Sequence, residues 1–262
     1  MSQSQRVVVT GSAGRVGRAA VRGLVAAGHT VVGFDRSPNP VPAGNYVQAE
    51  ITDADALRRA VAGADCVVHL AAAPDDAHFP RRPPPDDTDN FLSELVPANL
   101  IGPYQVFEAC RKEGVRRMVL ASTGQVIDGH RRDQQFPITA SAPFKPRYLY
   151  ACTKVFAEML GRVYAEQHGM SVLAARLGWC PRDPGQVAEI AASWQFQDIF
   201  FSPGDAGRFF AAAVGAVNLA GFAVVYATSR PTQQLIMDLE PARVLLGYEP
   251  QDRWPTGAED FA

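Results

Sequence analysis

The chain has 262 residues, 47% of them apolar and 20% charged, and carries a formal net charge of −2. That balance suits one large globular domain or two small ones and excludes a disordered, collagen-like or coiled-coil chain. No apolar run approaches the roughly 20 residues that span a bilayer, and no basic excess exists to hold a polyanion, so neither a membrane nor nucleic acid is expected as a partner.

In chain order, Arg6 to Thr10 is a short β-branched run suited to a strand buried on both faces. Val16, Ala20, Leu24 and Ala27 follow at helical spacing, with Gly28 placed to end that helix. Thr30 to Phe34 reads as a second strand closed by Asp35, and Tyr46 to Ile51 as a weaker third. Asp53 can cap a helix reaching Ala62, and Cys66 to Ala71 is a fourth strand. A helix over Ala98 to Glu113, a strand over Arg117 to Ala121, a helix over Tyr148 to His168 and a strand over Ser171 to Leu177 continue the alternation. Such alternation predicts βαβ units and a parallel sheet with right-handed crossovers.

Two segments break the rhythm. Residues 74 to 89 hold five prolines among five aspartates, which rules out a helix or central strand. They follow a strand C-terminus, and read either as a lid over a substrate or as a disordered surface insertion. The second break, Gly178 to Phe201, opens a C-terminal part with a helix near Gly204 to Val217, a strand Phe222 to Thr228 and a helix near Gln233 to Leu246. Cys66, Cys110, Cys152 and Cys180 form no C-x-x-C pair, and no signal-peptide pattern opens the chain, so free thiols in the cytoplasm are expected. The five histidines are scattered and give no zinc spacing, so no metal is expected.

Thr10-Gly11-Ser12-Ala13-Gly14-Arg15-Val16-Gly17 joins the first strand to the first helix with G-x-x-G-x-x-G spacing. Gly11 turns the chain off the strand, Gly14 lets a pyrophosphate approach the backbone, and Gly17 lets helix and sheet pack closely. The pyrophosphate would then meet unpaired N–H groups at the positive end of a helix dipole. Asp35, at the end of the second strand, is placed to accept hydrogen bonds from ribose hydroxyls and to repel a 2′-phosphate, which favours NAD over NADP. Arg36 beside it weakens that preference, because a guanidinium pairs with phosphate.

Tyr150 and Lys154 stand four residues apart, on one face of a helix. A free phenol near pKa 10 is a poor base at neutral pH; a nearby ammonium and an oxidised nicotinamide both favour the phenolate. Tyr150 is then able to take the proton of a substrate alcohol while hydride leaves to the nicotinamide, and Lys154 to hold the nicotinamide ribose. Ser122 and Thr123 supply hydroxyls at a neighbouring strand end, Thr123 being the better placed to orient the same substrate oxygen.

These segments, with His69-Leu70-Ala71-Ala72 and Asn99-Leu100-Ile101-Gly102, resemble the extended short-chain dehydrogenase/reductase superfamily and its NAD-dependent epimerase/dehydratase branch. The resemblance implies an α/β fold, a Rossmann-type doubly wound parallel sheet with a small C-terminal substrate-binding lobe, divided here as residues 1–177 and 178–262. It implies a catalytic Thr123, Tyr150 and Lys154, and an adenine contact at Glu50-Ile51. The cofactor-binding set is then Gly11, Ala13, Gly14, Arg15, Val16, Gly17, Asp35, Arg36, Glu50, Ile51, Leu70, Ala71, Ala72 and Asn99, with Tyr150 and Lys154. His69 itself reads as a packed strand residue.

Within that branch, Ala175-Arg176-Leu177-Gly178 and the ending Leu246 to Asp252 are similar to uronate dehydrogenases, which oxidise a sugar acid at its anomeric carbon. The short lobe leaves little room for a nucleotide-linked sugar. Three departures stand out: no Lys or Arg lies between Arg182 and Arg208 to clamp a substrate carboxylate, Trp179 replaces a serine, and Gly124-Gln125 replaces an Asn-His pair. Trp179 reads either as a stacking face for a ring or as lobe packing. Substrate contacts are assigned to Ser122, Thr123, Gln125, Tyr150 and Trp179. The expected activity is NAD-dependent oxidation of a hydroxyl of a small sugar, sugar acid or polyol. An epimerase or dehydratase using NAD transiently is the alternative, and a non-catalytic NAD sensor the third reading. By the same resemblance the two helices around Ala98–Glu113 and Tyr148–His168 are the faces of a homodimer.

Overall fold

The computed structural model describes residues 4–38, 45–74, 90–216 and 219–260. The first half runs β1 (Arg6–Thr10), α1 (Arg15–Ala26), β2 (Thr30–Asp35), β3 (Asn45–Gln48), α2 (Ala54–Val61) and β4 (Cys66–His69). A wide, π-wound stretch (Phe91–Ile101) then leads into α3 (Gly102–Glu113), β5 (Arg117–Thr123), a 3₁₀ turn (Gly124–Ile127) and α4 (Asp128–Arg132). The remainder is α5 (Leu149–His168), β6 (Ser171–Leu177), α6 (Pro184–Ala191), α7 (Trp194–Asp198), α8 (Pro203–Gly215), β7 (Phe222–Ala227) and α9 (Glu240–Leu246).

Among the described residues seven strands form one sheet in the order β3-β2-β1-β4-β5-β6-β7, all parallel. This is the expected doubly wound sheet. Alternation along β1 sends Val7 and Val9 to one face and Val8 to the other. The first face packs on α1, α8 and α9 through Ala20, Leu24, Phe209, Phe210 and Leu246. The second packs on α2, α3 and α5 through Leu57, Val106, Phe107 and Ala157. Helices α1 and α8 cross closely because both contribute glycine there: a Cβ on Gly23 would lie 2.2 Å from the Gly207 carbonyl oxygen. Strand order reverses at β1, with β2 on one side and β4 on the other, and a crevice opens there beyond the strand C-termini.

Several element bounds differ from expectation. The helix expected from Ala98 begins at Phe91: Pro97 has no amide hydrogen to offer, and the wider winding, with the Gly102 N–H on the Pro97 carbonyl, accommodates it. The helix expected over Gln233–Leu246 is reduced to α9, because buried Asp198 captures the backbone N–H groups of Thr232, Gln233 and Gln234. The third strand ends at Gln48, so Glu50 and Ile51 lie in the turn before Asp53, which caps α2 by accepting from the Ala56 N–H. The break after Gly178 holds α6 and α7. The proline-rich segment lies outside the described residues beyond Pro74. Among the described residues no helix is long and apolar enough to cross a membrane.

Candidate active site

The glycine turn is built as its spacing demands. Gly11 leaves β1 with φ +72° and donates to the Phe34 carbonyl at 2.8 Å; a Cβ there would meet the Ala71 nitrogen at 2.6 Å. A Cβ on Gly17 would sit 2.0 Å from the Gly11 carbonyl oxygen, so the third glycine is obligatory for the helix to lie on its own turn. Gly14, the residue before α1, would meet only the Gly11 oxygen, at 3.2 Å, and its outer side is open. No side chain caps α1, so the first-turn N–H groups of Arg15, Val16 and Gly17 face the crevice. These residues fit a dinucleotide pyrophosphate. Asp35 is tied to the same turn: its carboxylate accepts from the Ala13 N–H at 3.0 Å and the Ser37 N–H at 2.9 Å.

The candidate catalytic residues lie on β5 and α5. Thr123 ends β5, and its Oγ1 accepts from the Gln125 N–H at 3.2 Å, which leaves its own hydrogen for another acceptor. Tyr150 is in the first turn of α5 and Lys154 one turn on, with Lys154 Nζ 5.7 Å from the Tyr150 ring centroid. That ammonium donates to the Ala121 carbonyl at 3.1 Å. Burial pushes the Lys154 pKa down to about 8. Burial pushes the Tyr150 phenol up to about 12, reinforced by Cys180 and opposed by the Arg182 cation. Desolvation dominates the phenol, and Arg182, rather than the expected Lys154, is the cation that pulls it back toward the phenolate. His69 is the packed strand residue expected: its Nδ1 lies 2.7 Å from Thr10 Oγ1, and burial, with the Lys154 charge, depresses its pKa to about 3.

Residues of the glycine turn, with Leu70, Ala72, Thr123, Gln125, Tyr150, Lys154 and Trp179, line one cavity of about 690 Å³. Trp179 lines the cavity and packs edge-on against Phe196, with ring centroids 4.9 Å apart. Ser122 also lines this cavity, is 3% exposed and donates its hydroxyl hydrogen to buried Glu158 at 2.5 Å, so its oxygen can serve a substrate only as an acceptor. Asn99 is 3% exposed and its amide is bound to the backbone of Ala73 (2.8 and 2.9 Å) and to Thr153 (3.2 Å), so it ties the loop after β4 to α5 beneath the cavity. Ile51 is also buried, its side chain set against Gly102. Asp35, exposed Arg36 and exposed Glu50 stand outside the cavity, near the C-terminal ends of β2 and β3.

The opposite wall was not foreseen. Arg131 on α4, Arg147 before α5 and Arg182 after β6 all line the cavity, as do Asp128 and Glu189. The only hint in sequence was the acid and base spaced three apart at Asp128 and Arg131. Among the described residues no group of His, Cys, Asp and Glu has the arrangement of a metal site.

A family model described as the NAD dependent epimerase/dehydratase family matches residues 7–179. The L-arabinose 1-dehydrogenase (NAD(P)(+)) of Haloferax volcanii is 32% identical over 269 residues, covering 97% of this chain and 99% of that protein. The uronate dehydrogenase of Agrobacterium fabrum is 30% identical over 200 residues, covering 76% of this chain and 69% of that protein. Among solved structures, a mutant uronate dehydrogenase from Agrobacterium tumefaciens complexed with NAD superposes with a TM-score of 0.75 at 25% identity, covering 99% of this chain and 89% of that one.

Proposed function

The chain belongs to the NAD dependent epimerase/dehydratase family, and on that premise we propose that it is an NAD-dependent oxidoreductase that oxidises a hydroxyl of a small sugar, sugar acid or polyol. The observation that carries this reading is one cavity lined by both the glycine turn and the Thr123–Tyr150–Lys154 set. Sugar and uronate dehydrogenases among the relatives support it. NAD, when bound, supplies the hydride acceptor.

The chain's own residues do the rest. The N–H groups of Arg15, Val16 and Gly17 receive the pyrophosphate, and Asp35, held by Ala13, receives the adenosine ribose and disfavours a 2′-phosphate. Thr123 donates to the substrate oxygen and fixes its direction. Tyr150 as phenolate accepts the hydroxyl proton at its phenolic oxygen. Lys154, anchored on Ala121, holds the nicotinamide ribose and keeps a cation beside the phenol. Gln125 and Trp179 bound the substrate, residues 1–177 hold the cofactor, and residues 178–262 complete the substrate wall.

Tyr150→Phe keeps the ring and removes the base. It is expected to abolish NADH formation from sugars and uronates while titration calorimetry still detects NAD binding. Sustained turnover by the variant would overturn the assignment of Tyr150. With the wild type, sugar conversion without NADH accumulation would instead identify an isomerising enzyme.

The four free cysteines support a cytoplasmic enzyme. A homodimer is favoured by an exposed apolar stripe on α5, formed by Phe156, Met159 and Val163, beside Ile101 and Tyr104. Sedimentation should give twice the chain mass for the wild type and a shift toward the monomer for Phe156→Glu.

A further inference from the structure

The wall opposite the glycine turn carries an unusual charge arrangement. Asp128 is 7% exposed and is shared by two guanidinium groups: Arg131 Nε donates to Oδ1 at 2.7 Å and Arg147 Nη1 to Oδ2 at 2.8 Å. One carboxylate between two guanidiniums leaves a unit of positive charge in a partly desolvated place. Arg131 is rigidly held, with Nη1 on Gln195 Oε1 at 2.9 Å and its plane 5.0 Å from the Phe196 ring centroid. Arg147 lies over the Tyr148 ring at 5.2 Å. Their remaining N–H groups have no protein acceptor among the described residues, and both side chains line the cavity that contains Tyr150. Arg182 and Glu189 line it too, one cation and one anion, so the surplus on this wall remains positive.

We propose that Arg131 and Arg147, cross-braced by Asp128, form a receptor for an anionic group on the substrate, a carboxylate or a phosphate remote from the carbon being oxidised. The inference rests on the oxidoreductase reading of the same cavity and adds the substrate class to it. Asp128 neutralises only one of the two guanidinium charges. The second supplies the charge that an incoming carboxylate or phosphate neutralises, and the fork of donors suits the geometry of either. These cations come from α4 and from the turn before α5, and Arg131 is braced against Gln195 and Phe196 of the segment between Arg182 and Arg208, which has no Lys or Arg of its own.

The test uses the full-length protein with NAD and three substrates: a neutral aldose, the matching uronate and the matching aldose phosphate. The wild type should prefer one of the two anions, and the uronate and phosphate arms tell which. In Arg131→Gln and Arg147→Gln the anionic-to-neutral ratio of kcat/KM should fall about ten- to a hundredfold, the range of one or two charge-assisted hydrogen bonds, and mainly through KM. Arg131→Lys, which keeps the charge and loses the fork, should recover part of it. A wild type indifferent to the anion, or variants that lose activity equally toward all three sugars, would overturn the receptor.

A second readout is independent of turnover. Trp179 packs on Phe196, over which Arg131 lies, so glucuronate or glucose phosphate should quench tryptophan fluorescence saturably in the wild type and not in Arg131→Gln. Such quenching without any NADH would keep the receptor and refute the dehydrogenase. Quenching unchanged by the substitution would refute the receptor alone.

Discussion

Lys154 is 6% exposed, and its burial is costly in the charged form. Its pKa falls from 10.5 to about 8 in the folded chain, so between those values the unfolded chain binds more protons. The sign follows: the cost is present in full below about pH 8 and is relieved as pH rises through and beyond that value. A shift of this size corresponds to about 3 kcal/mol. Lys154→Met keeps the stem and removes the charge, while the Ala121 carbonyl loses its donor at a cost of about 1–3 kcal/mol. We expect this variant to form no NADH yet to be roughly 1 kcal/mol more stable near pH 7, with the difference shrinking by about 1 kcal/mol near pH 9. Identical pH dependence of melting in the two proteins would refute the account. Tyr150 moves the other way: a phenol raised to about 12 is largely protonated at neutral pH, so turnover should climb on the alkaline side. Arg182 opposes that rise, so Arg182→Gln should shift the alkaline limb of kcat to higher pH.

The turn between β1 and α1 shows why part of the site was legible in sequence. Gly11, Gly14 and Gly17 answer local backbone demands, and the strand and helix around them declare their own periods. Gly17→Ala puts a methyl group 2.0 Å from the Gly11 oxygen. The turn must open, and we expect a stability loss of roughly 1–3 kcal/mol together with at least a tenfold loss of NAD affinity by calorimetry; unaltered affinity would mean that the turn does not hold the cofactor. Tyr150 and Lys154 were legible for the same reason, since four residues on a helix fix a shared face whatever surrounds them. The strand end shows two hydroxyls, and the sequence does not say that Ser122 donates to Glu158 on α5 while the Thr123 hydrogen stays available. The anion wall was illegible because Asp128 meets Arg147 nineteen residues away and Arg131 meets Gln195 across 64. The start of α9 escaped for a like reason, since Asp198 takes the N–H groups of its expected first residues from more than thirty residues upstream. Contacts that close locally are written in the periodicity, and contacts that close through the fold are not.

At the scale of the molecule, the boundary proposed near residue 177 does not divide the core. The α1 face of the sheet is filled largely from beyond that boundary, by Phe201, Phe209, Phe210, Val214 and Val225. β7 adds to the β6 edge over six residue pairs, and α8 lies on α1 through Gly23 and Gly207. The last described segment returns to the cofactor turn, where the Gly257 carbonyl accepts from Arg15 at 3.4 Å, and Asp252 is bound to Ser202 and Arg208. A chain ending at residue 177 would leave α1 bare on one side and β6 as an apolar edge open to pairing with other chains. At about 1.5–3 kcal/mol per large buried side chain, the loss of these three phenylalanines and two valines alone amounts to roughly 8–15 kcal/mol, comparable to the roughly 5–15 kcal/mol that hold an ordinary domain together. Residues 1–177 produced alone are therefore expected to lack a cooperative thermal transition, to bind hydrophobic dye and to show no NAD binding by calorimetry, although every residue of the glycine turn and the Tyr150–Lys154 pair is present. A cooperative melt and NAD binding by that fragment would show that the cofactor half folds without the C-terminal part, and that α8 and β7 serve the substrate wall only.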